Sequence, residues 1–344
     1  MAGEQAIGDL VVLRPEGLYC PLGDFHIDPW RPVERALITH AHADHARTGH
    51  RHYLCAAEGE TVMRVRLGPV SLQGLGWGEP LRIGEVTVSL HPAGHVLGSA
   101  QIRIEHAGRV WVVSGDYKLA ADASCRAFEP VRCDTLITES TFGLPIYRWQ
   151  PPAQIFAEVL QWWQHNVREG CGSVLLCYAL GKAQRLLTGL AAAAGGGLPG
   201  PLVCHPAIEP LNQAYRDGGV AIPATVPWPE GARRGFEPGS LILAPPAAAG
   251  GALLKRVGEA SVALASGWMQ VRGVRRRRGV DRGFVLSDHA DWPGLIAAIS
   301  ASAASRVIVT HGFESAMVRH LRETGLEAGS FATEFGGERE DSPA

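Results

Sequence analysis

The chain contains no Cys-x-x-Cys pair, although it has seven cysteines: Cys20, Cys55, Cys125, Cys133, Cys171, Cys177 and Cys204. Scattered and odd in number, they argue against a disulfide framework or a cysteine-rich zinc site, and a reduced, cytoplasmic setting is expected. Charge of either sign is not in excess. A net charge of −2 gives no global signature of nucleic-acid binding, so an anionic ligand would be drawn by a local patch or by metal. No apolar run approaches the roughly 18 residues of a membrane span. MAGEQAIGDL has neither a basic n-region nor an apolar h-region. No signal peptide, transmembrane helix or membrane partner is therefore expected. The stretch AAAAGGGLPGP lacks the Gly-Lys-Ser/Thr of a phosphate loop. What remains is globular: 344 residues, 46% hydrophobic and 19% charged, enough for one large domain or two.

Histidine is where this sequence is dense. ALITHAHADHARTGH (36–50) puts His40, His42, Asp44 and His45 within six positions. The apolar run before them is too short for a helix and fits a buried strand. Two residues apart, His40 and His42 point the same way in extended chain. Asp44 and His45 follow where the chain turns and can face a second point nearby. That pattern suits two metal ions side by side, because ligand-type side chains this crowded repel one another as cations unless a metal organises them. Upstream, Asp28 in FHIDPW either forms a turn before Pro29 or fixes the histidine loop by hydrogen bonds.

Further strands deliver further polar residues. His91 and His95 bracket the turn in HPAGH; Asp116 ends RVWVVSGD; Glu139 follows the strand in DTLITES. Recurrence of strand-then-ligand gathers functional residues on loops at one sheet edge. From Pro151 the texture changes. Ile155, Phe156, Val159, Leu160, Trp163 and Val167 have helical spacing, and SVLLCYALGKAQRLL reads as strand, turn and helix, a βα unit of a second domain. A helix start at Gly181 and Lys182 can hold a phosphate or be an ordinary turn. Arg275, Arg276, Arg277 and Arg278 form the one dense basic run, either a solvated loop or a contact to a phosphate backbone. The first texture then returns with Asp288, His289 and Asp291 in SDHAD and with His311 in VTHG. Asp291 suits the cap of the helix that follows. The tail GGERED is expected to fray. His50, His52, His106, His165, His205 and His320 are read as surface or core histidines.

Together these residues resemble the metallo-β-lactamase fold and, more narrowly, its β-CASP nucleases, the group of the Artemis-type DNA repair nucleases and the endonuclease of mRNA 3′-end processing. HAHADH is similar to that family's principal metal motif. His95 in AGHVLGS matches its next ligand and Asp116 in SGDYK its metal-bridging aspartate. Glu139 in ESTFG, His289 in SDHAD and His311 in VTHG match three further signatures, and VLLCYALGKAQRLL resembles the start of the inserted cap. The opening, EGLYCPLGDFHIDPWRPVERALITHAHADHA, looks closest to the bacterial ligase-associated DNA exonucleases. The resemblance covers nearly the whole chain. It implies an α/β fold, an αββα metallo-β-lactamase sandwich with an inserted α/β β-CASP cap. The sandwich would take residues 1–145 and 266–335, the cap 146–265, and a flexible tail 336–344.

The same resemblance implies two divalent ions, zinc or alternatively manganese. His40, His42 and His95 would hold one; Asp44, His45 and His311 the other; Asp116 would bridge them. A hydroxide activated between ions roughly 3.5–4 Å apart would attack the phosphodiester. Carried over from the family, His289 would protonate the leaving alkoxide and Glu139 would orient it. Asp44 and Asp116 count with them as catalytic. Lys182 and Arg275–Arg278 would guide the strand. His91, outside both ligand sets, is read as supporting or structural. The implied function is a DNA exonuclease working in repair with an ATP-dependent ligase and a helicase. A histidine at position 311 is more typical of RNA-cleaving members, so an RNA-processing nuclease is the alternative. A small-molecule ester or thioester hydrolase would need neither the cap nor Glu139 and His289. A non-catalytic nucleic-acid binder would have lost ligands that this chain keeps.

Overall fold

Apolar residues line both faces of most strands, and the fold is the arrangement that buries both faces at once. The computed structural model describes residues 8–195, 197–229, 235–249, 251–277 and 279–335; the expected tail and Arg278 lie outside them. The first sheet begins as an antiparallel meander of β1 (Val12–Arg14), β2 (Gly17–Cys20) and β3 (Phe25–Ile27). It continues in parallel through β4 (Arg35–Leu37), β5 (His52–Ala56) and β6 (Leu72–Leu75), with α1 (Glu60–Leu67) in the last crossover. A second sheet starts with antiparallel β7 (Leu81–Ile83), β8 (Val86–Pro92), β9 (Ala100–His106) and β10 (Arg109–Val113), to which β11 (Thr135–Ser140) adds in parallel.

The chain then leaves through α2 (Pro152–Glu169), which stops where Gly170 turns left-handed at φ 69°. It builds a third, wholly parallel sheet. Its elements are β12 (Gly172–Leu176), α3 (Lys182–Ala193), β13 (Leu202–Cys204), α4 (Glu209–Asp217), β14 (Leu241–Ala244), α5 (Gly251–Val257), β15 (Ala260–Ala265), α6 (Arg272–Arg277) and β16 (Arg282–Phe284). The strand order is β13-β14-β12-β15-β16. The last of these strands lies beyond residue 265, where the inserted unit was expected to end. After α7 (Trp292–Ser302), β17 (Arg306–Gly312), α8 (Glu314–Glu323) and β18 (Glu327–Ser330) complete the second sheet in the order β18-β17-β11-β10-β9-β8-β7. The protein is thus a mixed α/β fold with three sheets among the described residues.

Alternation along single strands shows how the layers pack. Leu37, Leu54, Trp111, Ile137 and Ile308 share one core with Phe25, Val88 and Ile102, so the first two sheets face each other. Their neighbours point the other way. Ala36, Tyr53 and Cys55 meet α1 and the helices of the third sheet, while Val112, Leu136, Val307 and Val309 meet Leu295 and Ile299 of α7 and Met317 and Leu321 of α8. β8, β10, β11 and β17 all run in one direction, so their carboxyl ends share one edge. Ala100 N donates to Thr39 O at 2.8 Å and ties the end of β4 to that edge.

Candidate metal centre

Four strand ends and the loop after β16 converge on one buried carboxylate. Asp116 follows β10 through Gly115, whose φ of 56° and contact with Thr39 leave no room for a Cβ. Its Oδ2 lies 3.5 Å from Nε2 of His40, 3.5 Å from Nε2 of His45, 3.9 Å from Nε2 of His95 and 4.0 Å from Nε2 of His289. Its Oδ1 lies 3.2 Å from Nε2 of His311. His45 reaches this point because the chain folds back in a helical turn, with Ala46 N donating to His42 O at 2.7 Å. Asp44 sits on the open side, Oδ2 3.8 Å from His45 Nε2 and its side chain 24% exposed.

Two expected loop residues are in fact inside strands. Glu139 lies in β11 and His311 in β17, and the pairing slips between them: Thr138 pairs with Val309 but Ser140 with Gly312. The extra residue on β17 is a bulge that turns His311 into the site, where strict alternation would send it with Val307 and Val309 towards the helices. Gly312, at φ 89°, permits this, since a Cβ there would meet Ser140 O at 2.2 Å.

The outer hydrogen bonds decide where the ring protons sit. His95 Nδ1 donates to Asp288 O at 2.8 Å and His42 Nε2 to Leu180 O at 3.2 Å. His45 Nδ1 donates to Asp28 Oδ2 at 2.8 Å. Thr39 Oγ1 donates to Asp28 Oδ2 at 2.6 Å, so the 3.1 Å contact between Thr39 Oγ1 and His40 Nδ1 takes its proton from the histidine. Thr310 Oγ1 likewise donates to Thr138 O at 3.3 Å and accepts from His311 Nδ1 at 3.1 Å. Each of the five rings, when neutral, therefore presents a lone pair inward. His42 Nδ1 is 3.0 Å from Nε2 of both His40 and His95, contacts that repel unless a cation lies among them. Nε2 of His45, Nε2 of His311 and Oδ1 of Asp116 are buried and make no hydrogen bond among the described residues. Imidazole with carboxylate suits zinc or manganese, and these residues fit such ions.

The electrostatics agree. Burial, with neighbouring histidines adding to it, holds His40 and His95 well below the ordinary imidazole range, and burial lowers His42 as well. These are the neutral forms that bind metal. Burial also disfavours charge on His45 and Asp116, yet their attraction outweighs it, aided by His289 at Asp116 and Asp44 at His45. Asp116 is held well below and His45 well above the usual values.

His289 stands apart. Its Nδ1 lies 2.9 Å and 3.0 Å from the two oxygens of Glu139. Glu139 also accepts from Tyr117 N at 2.8 Å and from Thr141 N at 3.4 Å. The Glu139 carboxylate lies close enough to Asp116 and His311 to be a third donor there. With both oxygens engaged by His289 and backbone amides, it is better placed to hold His289.

The other residues singled out from the sequence lie around the ring cluster or away from it. Lys182 was expected to meet substrate phosphate, but it is fully buried, with Nζ 3.3 Å from Asp288 Oδ2. Asp291 caps α7 through Gly294 N at 2.9 Å, whereas Asp288 does not; it binds Lys182 and Arg185. Asp28 supports both His45 and Thr39. His91 is outside the centre, against Ser89 and Glu129. Of the basic run, Arg276 and Arg277 are exposed in α6. Sequence reasoning missed Thr39, Thr310 and the buried chain Lys182–Asp288–Arg185–Asp122–Lys118. A signal for the threonines existed: ALITH and VIVTH place Thr directly before a ring in both strands.

Fold and site together define a mixed α/β protein with a buried histidine–carboxylate cluster that could hold metal. No family model matches the chain. A probable DNA ligase of Opitutus terrae is 32% identical over 91% of this chain, which spans only 30% of that protein. The endoribonuclease ysh-1 of Neurospora crassa is 36% identical over 30% of this chain and 12% of its own length. A ribonuclease of Thermus thermophilus is 28% identical over 47% of this chain and 44% of its own. In shape, a crystal structure of a protein of unknown function from Enterococcus faecalis aligns with a TM-score of 0.59 at 12% identity, covering 88% of this chain and 80% of that one. The chain is a homologue of the metallo-β-lactamase β-CASP nucleases. Two of these relatives carry ribonuclease names, and the chain spans less than half the length of each of the three.

Proposed function

We propose that the chain is a metal-dependent nuclease that hydrolyses phosphodiester bonds, built as a metallo-β-lactamase αββα sandwich with a β-CASP cap formed by the third sheet. The observation that carries this reading is the proton pattern. Five histidines hydrogen-bond outward and turn their other ring nitrogen towards Asp116, while a sixth, His289, is paired with Glu139 instead. His40, His42 and His95 would hold one ion, Asp44, His45 and His311 the other, with Asp116 between. When bound, two such ions lower the pKa of water towards about 7 and neutralise charge on the phosphoryl oxygens. His289, oriented by Glu139, gives its Nε2 proton to the departing alkoxide. The buried ion chain behind it fixes the loop that carries it, and exposed Arg272, Arg276 and Arg277 lead the strand towards the cleft.

DNA is the favoured substrate, because the ligase-named relative matches 91% of the chain. It also motivates a working partnership with a ligase; a helicase partner rests on the resemblance alone. RNA is the second reading, motivated by His311 and by the relatives named ribonucleases. All seven cysteines are free, which suits a cytoplasmic location. Among the described residues no helix is long and apolar enough to cross a membrane. End-labelled single and double strands of matched DNA and RNA, incubated with zinc or manganese, test the proposal. Cleavage of DNA that stops with a chelator is expected. Absence of cleavage of either polymer with both metals would overturn it.

A further inference from the structure

The two halves of the centre are walled differently. Around His40, His42 and His95 the neighbouring rings among the described residues are other histidines. Around His45 and His311 the wall is Phe335, at the end of the described chain. Its ring lies flat on His45, 4.6 Å between centroids and 12° between planes. It meets His311 edge-on at 5.7 Å and 77°, and Trp30 edge-on at 5.6 Å and 81°. Phe335 is only 4% exposed.

The segment that delivers this ring is tied to the strand and the loop it covers. Phe331 N donates to Val309 O at 3.0 Å, and Thr333 Oγ1 donates to Thr310 O at 2.6 Å. Arg47, two residues after His45, donates from Nη2 to Glu334 O at 3.3 Å and from Nη1 to Trp30 O at 3.3 Å. Behind the rings, Phe335 closes a cavity of about 10 Å³ shared with Asp28, His45, Thr310 and His311, at the lower limit of what one water occupies. The His45–Asp28 and His311–Thr310 bonds that aim these two rings thus lie beside a small cavity with Phe335 as one wall. Truncating the ring admits water to compete for both bonds and removes the surface on which His45 lies.

We infer that Phe335 is a positioning residue for one half of the centre: it holds the rings of His45 and His311 so that the ion they share is retained, and it leaves the ion of His40, His42 and His95 unaffected. This rests on the two-ion reading above. The test is chelator-driven release from full-length protein loaded with zinc, followed for both ions, in wild type, Phe335→Ala and Phe335→Tyr. In Phe335→Ala one release phase is expected to accelerate at least ten-fold and the other to stay within two-fold; Phe335→Tyr, which keeps the ring, restores both. Equal acceleration of the two phases would mean a generally loosened fold and would overturn the inference, as would two unchanged phases. If wild type takes up two ions and Phe335→Ala releases both at the wild-type rates, this inference alone fails. If wild type takes up none, the two-ion reading fails and takes this one with it.

Discussion

A carboxylate as buried as Asp116 carries its charge only beside compensating groups, and His45 and His289, with a hydrogen bond from His311, supply them. The same principle governs its surroundings. Burial opposes ionisation of Asp288 and Asp122, but Lys182, Arg185 and Lys118 outweigh it and hold both carboxyls below the usual range. Carboxyls depressed in the folded state stabilise it above their unfolded pKa of about 3.9 and lose that contribution as pH falls through the folded values. Acid unfolding should therefore set in below about pH 4, and Asp288→Asn should flatten that limb of the stability–pH profile; an identical profile would refute the linkage. Arg185→Ala leaves both carboxylates short of a partner and should cost about 3–5 kcal/mol in urea unfolding, where a change below about 1 kcal/mol would make the ion chain incidental. His289→Ala should slow turnover by about 10²–10⁴-fold with metal content kept. A fall in bound metal would make His289 a ligand.

At the scale of elements, the site depends on where strands stop and on one irregularity. The HAHADH loop was legible because its ligands are consecutive in sequence and follow a short apolar strand. Glu139 and His311 read as loop residues, yet they are strand residues, and the slip at Thr138–Ser140 brings His311 inward. A bulge of one residue leaves no mark on hydrophobic periodicity. Lys182 illustrates the opposite failure. A lysine at a helix start after glycine suggests an exposed phosphate site, and only the packed structure shows Asp288 meeting it from more than a hundred residues away. The basic run Arg275–Arg278 is the stretch proposed to meet substrate, with Arg276 and Arg277 exposed in α6. Replacing Arg275–Arg278 by Ser should weaken DNA binding and lower the slope of log affinity against log salt by about 0.9 for each phosphate no longer neutralised. An unchanged slope would make the run a solvated segment.

For the whole molecule, alternating apolar strands made an α/β fold legible, and the change of texture near Pro151 marked the departure into the third sheet. The return was harder to place. β16 pairs with β15 of the third sheet, although its sequence reads continuously into SDHAD. Contacts that join distant parts, such as Arg185 with Asp288 or Phe335 with His45, follow from no local pattern, since neither partner's neighbours differ from those of an ordinary helix or tail. Yet the centre exists only when these parts close. His311 arrives some 270 residues after His40, beyond the entire third sheet, so a partly folded chain holds half a site.

Asp116 is where those parts meet, and its substitution tests the account most directly. Asp116→Ala should lower the rate of phosphodiester cleavage by at least about 10³-fold, with the circular dichroism of the folded protein retained. Cleavage near the wild-type rate in a variant that stays folded would contradict a reaction organised around that carboxylate.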